Sequence, residues 1–271
     1  IMRIVDASGA DGAVRTSADF DASDVSDKPF GWNLPNWLLR REMVNRLQAL
    51  PNVIFKTGVG FGDVVARSAY ALVRLTDGSA VRCKLVIGAD GRGSPVRRAA
   101  GINAKTTRYG QKAITFAVTH DAPHDNVSTE VHRAGGPFTL VPLPDLGGKP
   151  CSAVVWMQAG AAVKELMALT DDAFSAAATD RSAGTYGPLT LASKRSVWPI
   201  ISQCADSLTG PRTALVAEAA HVVPPIGAQG LNMSLADLNC VLDLAKTHRE
   251  DVGSQAMLDD FHKARHGDIR M

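Results

Sequence analysis

What this sequence lacks narrows its class before any motif is read. Its four cysteines, Cys83, Cys151, Cys204 and Cys240, lie far apart and form no C-x-x-C pair. Neither a zinc site nor a disulfide framework fits that spacing, so small buried hydrophobes in a reducing cytoplasm are expected. No apolar run approaches the roughly 18 residues that span a bilayer, and no charged-then-apolar leader is visible. A surplus of one charge is missing too. The 29 Lys and Arg stand against 27 Asp and Glu, a net charge of +2, with both signs spread along the chain. Nucleic-acid binding calls for a basic face or stripe, so no such partner is expected. No metal is expected either. His120, His124 and His132 fall in a strand-and-loop stretch without a paired second motif. His262 and His266 stand at i, i+4 without the glutamate of H-E-x-x-H.

What is present is an ordinary globular composition, 45% hydrophobic and 21% charged over 271 residues. That length suffices for one large domain or two modest ones. Residues 3–6 alternate like a strand. Leu38, Leu39, Met43, Val44, Leu47 and Leu50 recur at helical spacing, which predicts a helix over 35–50. Residues 53–55 read as the start of a strand. Residues 70–75 and 80–87 read as two strands joined by Asp77-Gly78, a strong hairpin signal. From 111 to 160 strand-like runs alternate with Pro- and Gly-rich loops, which predicts an antiparallel sheet in a second domain. An Ala-rich helix is expected over 161–180 and a strand over 195–200. Leu231, Leu235, Leu238 and Leu242 share one face of a helix expected over 231–246.

Two motifs carry chemistry. In residues 212–237 a buried strand, Leu215-Val216-Ala217, ends in Glu218; the rigid Pro224-Pro225-Ile226-Gly227-Ala228-Gln229-Gly230 loop then opens a helix. Glycine lets backbone approach a flat ligand closely. The free N–H groups and partial positive charge of a helix N-terminus suit an anionic ligand atom. A carboxylate at the strand end can accept hydroxyl hydrogens from a polyol chain. The other motif is Gly88-Ala89-Asp90-Gly91-Arg92-Gly93-Ser94-Pro95-Val96-Arg97. There an apolar strand enters a Gly-rich turn, and Ser94-Pro95 suits an N-cap and first helical position. Arg97 has two readings, a phosphate contact or an anchor between helix and sheet. His221 reads as a structural hydrogen-bonding residue and Ser94 as a cap.

On these residues the chain resembles the FAD-dependent monooxygenases related to para-hydroxybenzoate hydroxylase, most of all the ubiquinone-biosynthesis hydroxylases. That family carries Gly-Asp-Ala-Ala-His, then a proline and a Gly-Gln-Gly-x-Asn loop, where this chain has 217–221 and 224–232. Its Gly-Ala-Asp-Gly-x-x-Ser-x-Val-Arg fingerprint matches 88–97 at every fixed position. Two positions depart. Ala217-Glu218 replaces Gly-Asp, with a side chain about 1.5 Å longer, and Ala228 replaces the first loop glycine. Residues 30–38 and 120–145 agree with the family more weakly; many members carry arginine where Trp37 stands here.

The resemblance implies an α/β fold: a Rossmann-like FAD-binding domain, 1–108 with 195–271, and an inserted antiparallel-sheet substrate domain, 109–194. It implies Glu218 beside the ribityl chain of FAD and Asp90 with Gly91 at the FAD edge, the second motif also serving the nicotinamide cofactor. Pro225, Gly227, Ala228, Gln229, Gly230, Leu231 and Asn232 would cradle the isoalloxazine, with the Pro225 carbonyl near flavin C4a. No acid–base pair is evident, so no catalytic residue is assigned beyond Pro225. NAD(P)H is the implied reductant, O2 the oxygen source and a polyprenylated phenol the substrate. Peripheral contact with the inner membrane or a biosynthetic complex would follow. The family's first strand–G-x-G-x-x-G–helix unit does not occur in these residues; Gly58-x-Gly60-x-Gly62 has the wrong spacing and context. An N-terminally truncated flavin hydroxylase is therefore expected. The alternatives are a non-catalytic remnant or scaffold subunit that no longer binds FAD, and a sister flavoprotein such as a halogenase or prenyl reductase.

Overall fold

Strand alternation organises the first half of the structure. Along Ala104–Thr119, Ile114, Phe116 and Val118 point to one face and are buried. In the antiparallel neighbour Lys149–Ala159, Trp156 lies opposite Ile114 and Val154 opposite Phe116. Phe138 and Leu140 of Gly136–Leu146 continue the row, then Val131 of Ser128–Arg133 and Val5 of Met2–Asp6. The helices Gly160–Ala168 and Asp171–Arg181 cover this face through Val163, Phe174 and Ala178. The alternate residues form an opposite face that stays partly open. Thr115 and Ala117 pair there with Val155 and Ala153, which pair in turn with Thr139 and Val141. All six are half-buried.

The computed structural model describes residues 1–9 and 12–270. It groups 1–54 with 110–200 in one unit, and 55–109 with 201–271 in another. The sequence suggested breaks at 108/109 and 194/195 and put 1–54 with the flavin-binding part. The difference has a local cause: Met2–Asp6 pairs in parallel with Ser128–Arg133, which ties this segment to the sheet and makes the sheet mixed rather than purely antiparallel. The Ala-rich stretch forms two helices, because the Thr170 hydroxyl accepts the Ala173 N–H and starts a new helix after Leu169. Helix Asn36–Gln48 and strand Ser196–Ala205 form close to the expected places. Residues 53–55 form no strand.

In the second unit Val86–Gly88 and Thr213–Leu215 are parallel neighbours, with Leu215 beside Gly88. Phe61–Ala66, Ala71–Leu75 and Ala80–Cys83 form a separate antiparallel sheet. Its second hairpin turns at Asp77-Gly78, with Gly78 at φ +84° and the Asp77 carboxylate accepting the Ser79 N–H. The Gly58–Gly62 stretch leads into this sheet, where the Gly60 N–H donates to the Thr76 hydroxyl. A Cβ on Gly88 would lie 2.8 Å from Leu215 and 3.0 Å from Val96, so glycine lets helix Pro95–Ala99 pack on the strand pair. The core is built from Val96, Leu215, Val241, Met257, Leu258 and Phe261.

The helix Gln229–Thr247 turns its apolar stripe outward. Its leucine stripe, Leu231, Leu235, Leu238 and Leu242, is exposed, and the buried side carries Asp237 and Val241. Among the described residues, no helix is long and apolar enough to cross a membrane.

Candidate functional site

The two motifs lie side by side at one edge of the second unit. Their strands run parallel in register, and both leave the sheet at their carboxyl ends, where open α/β sheets bind ligands. Val216 continues the pairing by donating to the Gly88 carbonyl at 3.0 Å. The chain then turns at 89–93 after one strand and at 217–220 after the other.

Asp90 organises its own turn. Its carboxylate accepts the Ser94 hydroxyl and, at 3.0 Å, the Val96 N–H. Ser94 caps the helix by accepting the Arg97 N–H at 2.9 Å. Gly91 takes φ +83°, and its carbonyl accepts the Ser94 N–H. Arg97 is buried and joins the motifs. It donates to the Ala219 carbonyl at 2.7 Å and to the Arg92 carbonyl at 2.9 Å. Of its two readings, the anchor is the one these contacts describe. Gln203 donates to the same Arg92 carbonyl.

Glu218 sits exposed in the adjoining turn, and no hydrogen bond or ion pair engages its carboxylate among the described residues. Pro225 precedes a short 3-10 turn, Ile226–Ala228. Gly227 and Ala228 both take left-handed φ, +65° and +53°. Helix Gln229–Thr247 then starts at Ala228 with no side chain capping its free N–H groups. Gln229 turns its amide back to the Gly227 carbonyl. Gly230, Leu231 and Asn232 are exposed. No hydrogen bond links 225–232 to Asp90 among the described residues.

Asp237 holds this helix to the turn. Fully buried, it accepts the Ala217 N–H at 2.9 Å and His221 Nε2 at 2.6 Å on one oxygen, and Arg265 Nε at 2.9 Å on the other. Burial pushes its carboxyl up, but hydrogen bonds from His221, Ala217 and Arg265 outweigh burial and hold it below the usual value. The sequence reading gave Asp237 no role. A signal was there: Asp237 stands four residues from both Met233 and Val241, on the line that is turned inward.

A family model described as FAD binding domain matches residues 4–269. The chain belongs to the FAD binding domain family. Among curated members' relatives, the ubiquinone hydroxylase UbiL of Rhodospirillum rubrum is 32% identical over 243 residues, covering 89% of this chain and 56% of UbiL. Mouse COQ6, a mitochondrial ubiquinone biosynthesis monooxygenase, is 27% identical, covering 91% of this chain and 60% of COQ6. The chain thus spans under two thirds of either relative. The structure of Pseudomonas aeruginosa PqsL in complex with 2-aminobenzoylacetate superposes with a TM-score of 0.82 at 20% identity, covering 99% of this chain and 73% of PqsL. That likeness establishes the shared mixed α/β fold.

The donor set suits the family's cofactor. An uncapped N-terminus of a 19-residue helix offers N–H donors, and an unengaged carboxylate stands at the adjoining strand end. Both departures from the family motif fall where backbone conformation is costly: Ala217 and Ala228 each take φ +53°. Alanine there costs about 1–2 kcal/mol over its right-handed form, while glycine loses more chain entropy on folding. Ala217→Gly is therefore expected to raise the unfolding free energy by about 0.5–1 kcal/mol, measured by urea denaturation. A decrease would show that the turn does not suffer from its alanine.

Proposed function

We propose that this protein hydroxylates the ring of a prenylated phenol in ubiquinone biosynthesis, using FAD, with NAD(P)H as reductant and O2 as oxygen source. The observation that carries the reading is the pairing of the Asp90 and Glu218 turns at neighbouring carboxyl strand ends, locked by Arg97. The names of UbiL and COQ6 point to the same reaction class.

Bound FAD would supply redox chemistry that no side chain offers. The chain's own residues would bind and orient it. Glu218 would accept hydroxyl hydrogens of the ribityl chain. The N–H groups of Gln229 to Asn232 would meet the electron-rich pyrimidine edge and favour negative charge there. Pro225, Gly227 and Ala228 would lie along the ring, the Pro225 carbonyl near its reacting edge. Asp90 and Gly91 would border the cofactor while their turn holds its shape. The open sheet face of Thr115, Ala117, Thr139, Val141, Ala153 and Val155 would receive the aromatic ring. Its side chains are small and uncharged, and the Trp198 indole, which donates to the Thr115 hydroxyl at 3.1 Å, offers an aromatic surface beside them. A prenyl tail would bring the enzyme to a membrane surface, where its substrate dissolves.

The test is reconstitution of the protein from its complete reading frame with FAD, followed by oxygen uptake with NADH or NADPH against a series of prenylated phenols. Phenol-dependent uptake with one hydroxyl added per ring is the expected result. A protein that retains no FAD would overturn the proposal and favour a scaffold role; one that binds FAD but leaves every phenol unchanged would favour another flavin reaction.

A further inference from the structure

The open sheet face carries a pair of titratable groups on its strand Ser128–Arg133. Glu130 and His132 lie two apart on Ser128–Arg133, so their side chains share a face. Their register partners Thr139 and Pro137 place that face with Val155 and Ala153, away from the helices. His132 Nε2 is 2.9 Å from Glu130 Oε1. The histidine side chain is 49% exposed and the glutamate 24%, so the pair is open to a ligand while its carboxylate is partly shielded. A neutral imidazole that donates its Nε2–H to an ionised carboxylate leaves the Nδ1 lone pair free.

We infer that His132 takes the hydroxyl proton of the phenol and that Glu130 is the residue that positions it. The inference rests on the reading that this sheet face receives the aromatic ring. The phenol O–H bond breaks, its proton goes to His132 Nδ1, and the electron pair stays on the phenolate oxygen. The resulting imidazolium keeps its Nε2–H on Glu130, which stabilises the charge. A phenolate ring is more electron-rich than a phenol ring, which is what oxygen transfer to carbon requires.

Asp6 on the neighbouring strand stands opposite His132 in register. Hydrogen bonds from Ser8 hold the Asp6 carboxyl below its usual value, with Arg15 and His132 contributing less. On the strand at the other side, Pro137 and Thr139 stand opposite the pair in register. The helix-covered face could not serve: its His120 lies buried between the Ala122 carbonyl and the Ser152 hydroxyl, stacked on Tyr186.

The probe is 4-nitrophenol, whose phenolate absorbs visible light and whose phenol form does not. It is titrated into the FAD-loaded full-length protein at a pH where it is mostly protonated in solution. The wild-type protein is expected to bind it as phenolate. His132→Gln is expected to bind it within about threefold of the wild-type affinity but to lower the bound phenolate fraction and kcat about tenfold or more, at the low end of general-base effects. Glu130→Gln should lower both by less, with Glu130→Asp restoring part of the loss. A purely structural pair would leave the phenolate signal of the bound probe unchanged. Ala153→Trp, or Thr139→Phe should the tryptophan variant not fold, tests the face itself and should abolish binding. If either bulky variant binds the probe normally, or if wild type binds none, the reading of the face falls and the proton acceptor with it. If the bulky variants block binding but His132→Gln keeps the full phenolate signal, or if wild type holds the neutral phenol, the pair alone is overturned.

Discussion

Asp237→Ala is expected to lower the unfolding free energy of its unit by about 3–5 kcal/mol, the cost of breaking a buried ion pair from one side. The size follows from what the carboxylate holds. It neutralises Arg265, itself largely buried, and satisfies His221 Nε2 and the Ala217 N–H. Alanine would leave three donors without their acceptor, those of His221 and Arg265 in buried side chains, and Arg265 would keep Asp268 and the Met233 carbonyl. For a chain of this size, the transition of that unit should fall by about 10 °C, measured by differential scanning calorimetry. Asp237→Asn separates charge from shape. The wild-type carboxyl is held below its unfolded value. Its stabilisation is therefore complete above the unfolded value of about 3.9 and is lost as pH falls through the folded one. Asn should be less stable at neutral pH and should show a flatter loss of stability below about pH 4. An acid limb identical to that of the wild type would mean that this carboxylate does not govern it.

Glu218→Ala is expected to weaken FAD binding by about ten- to a hundredfold, from the loss of one hydrogen bond to a charged group. No contact within the described structure uses that carboxylate, so its removal should leave thermal stability within about 0.5 kcal/mol of the wild type, as for an ordinary surface change. The combination discriminates: a residue that only supported the fold would shift stability first. Titration of the full-length apoprotein with FAD, followed by quenching of flavin fluorescence, gives the dissociation constant. Glu218→Asp, which restores the residue of the family motif, should bind FAD nearly as well as the wild type. An unaltered dissociation constant in the alanine variant would remove Glu218 from the site.

The turn and helix cap at 88–97 were legible because each of their parts is local. Serine three residues before Arg97 can reach only the first turn of the helix it caps, and Asp77-Gly78 can close only the hairpin it sits in. Partners far apart in sequence left weaker traces. Nothing in the alternation of 3–6 says that Met2–Asp6 pairs with Ser128–Arg133, since a period of two identifies a face and not a neighbour. Helical spacing likewise grouped Leu231, Leu235, Leu238 and Leu242 without saying which way the stripe turns. Three hydrogen bonds to Asp237 make the polar side of that line the buried one. The break at Thr170 was hidden by alanines on both sides, which favour helix everywhere and mark no boundary.

Arg97 makes two distant stretches of the gene one heritable unit. Its guanidinium spans the carbonyls of residues 92 and 219, so a turn of altered length after either strand would strand one end of the clamp. Changes in the two loops can therefore be sampled only together. A library that randomises 217–222 alone is expected to return mainly backbones that keep carbonyl 219 in place, with new turn shapes emerging when 89–93 varies with it.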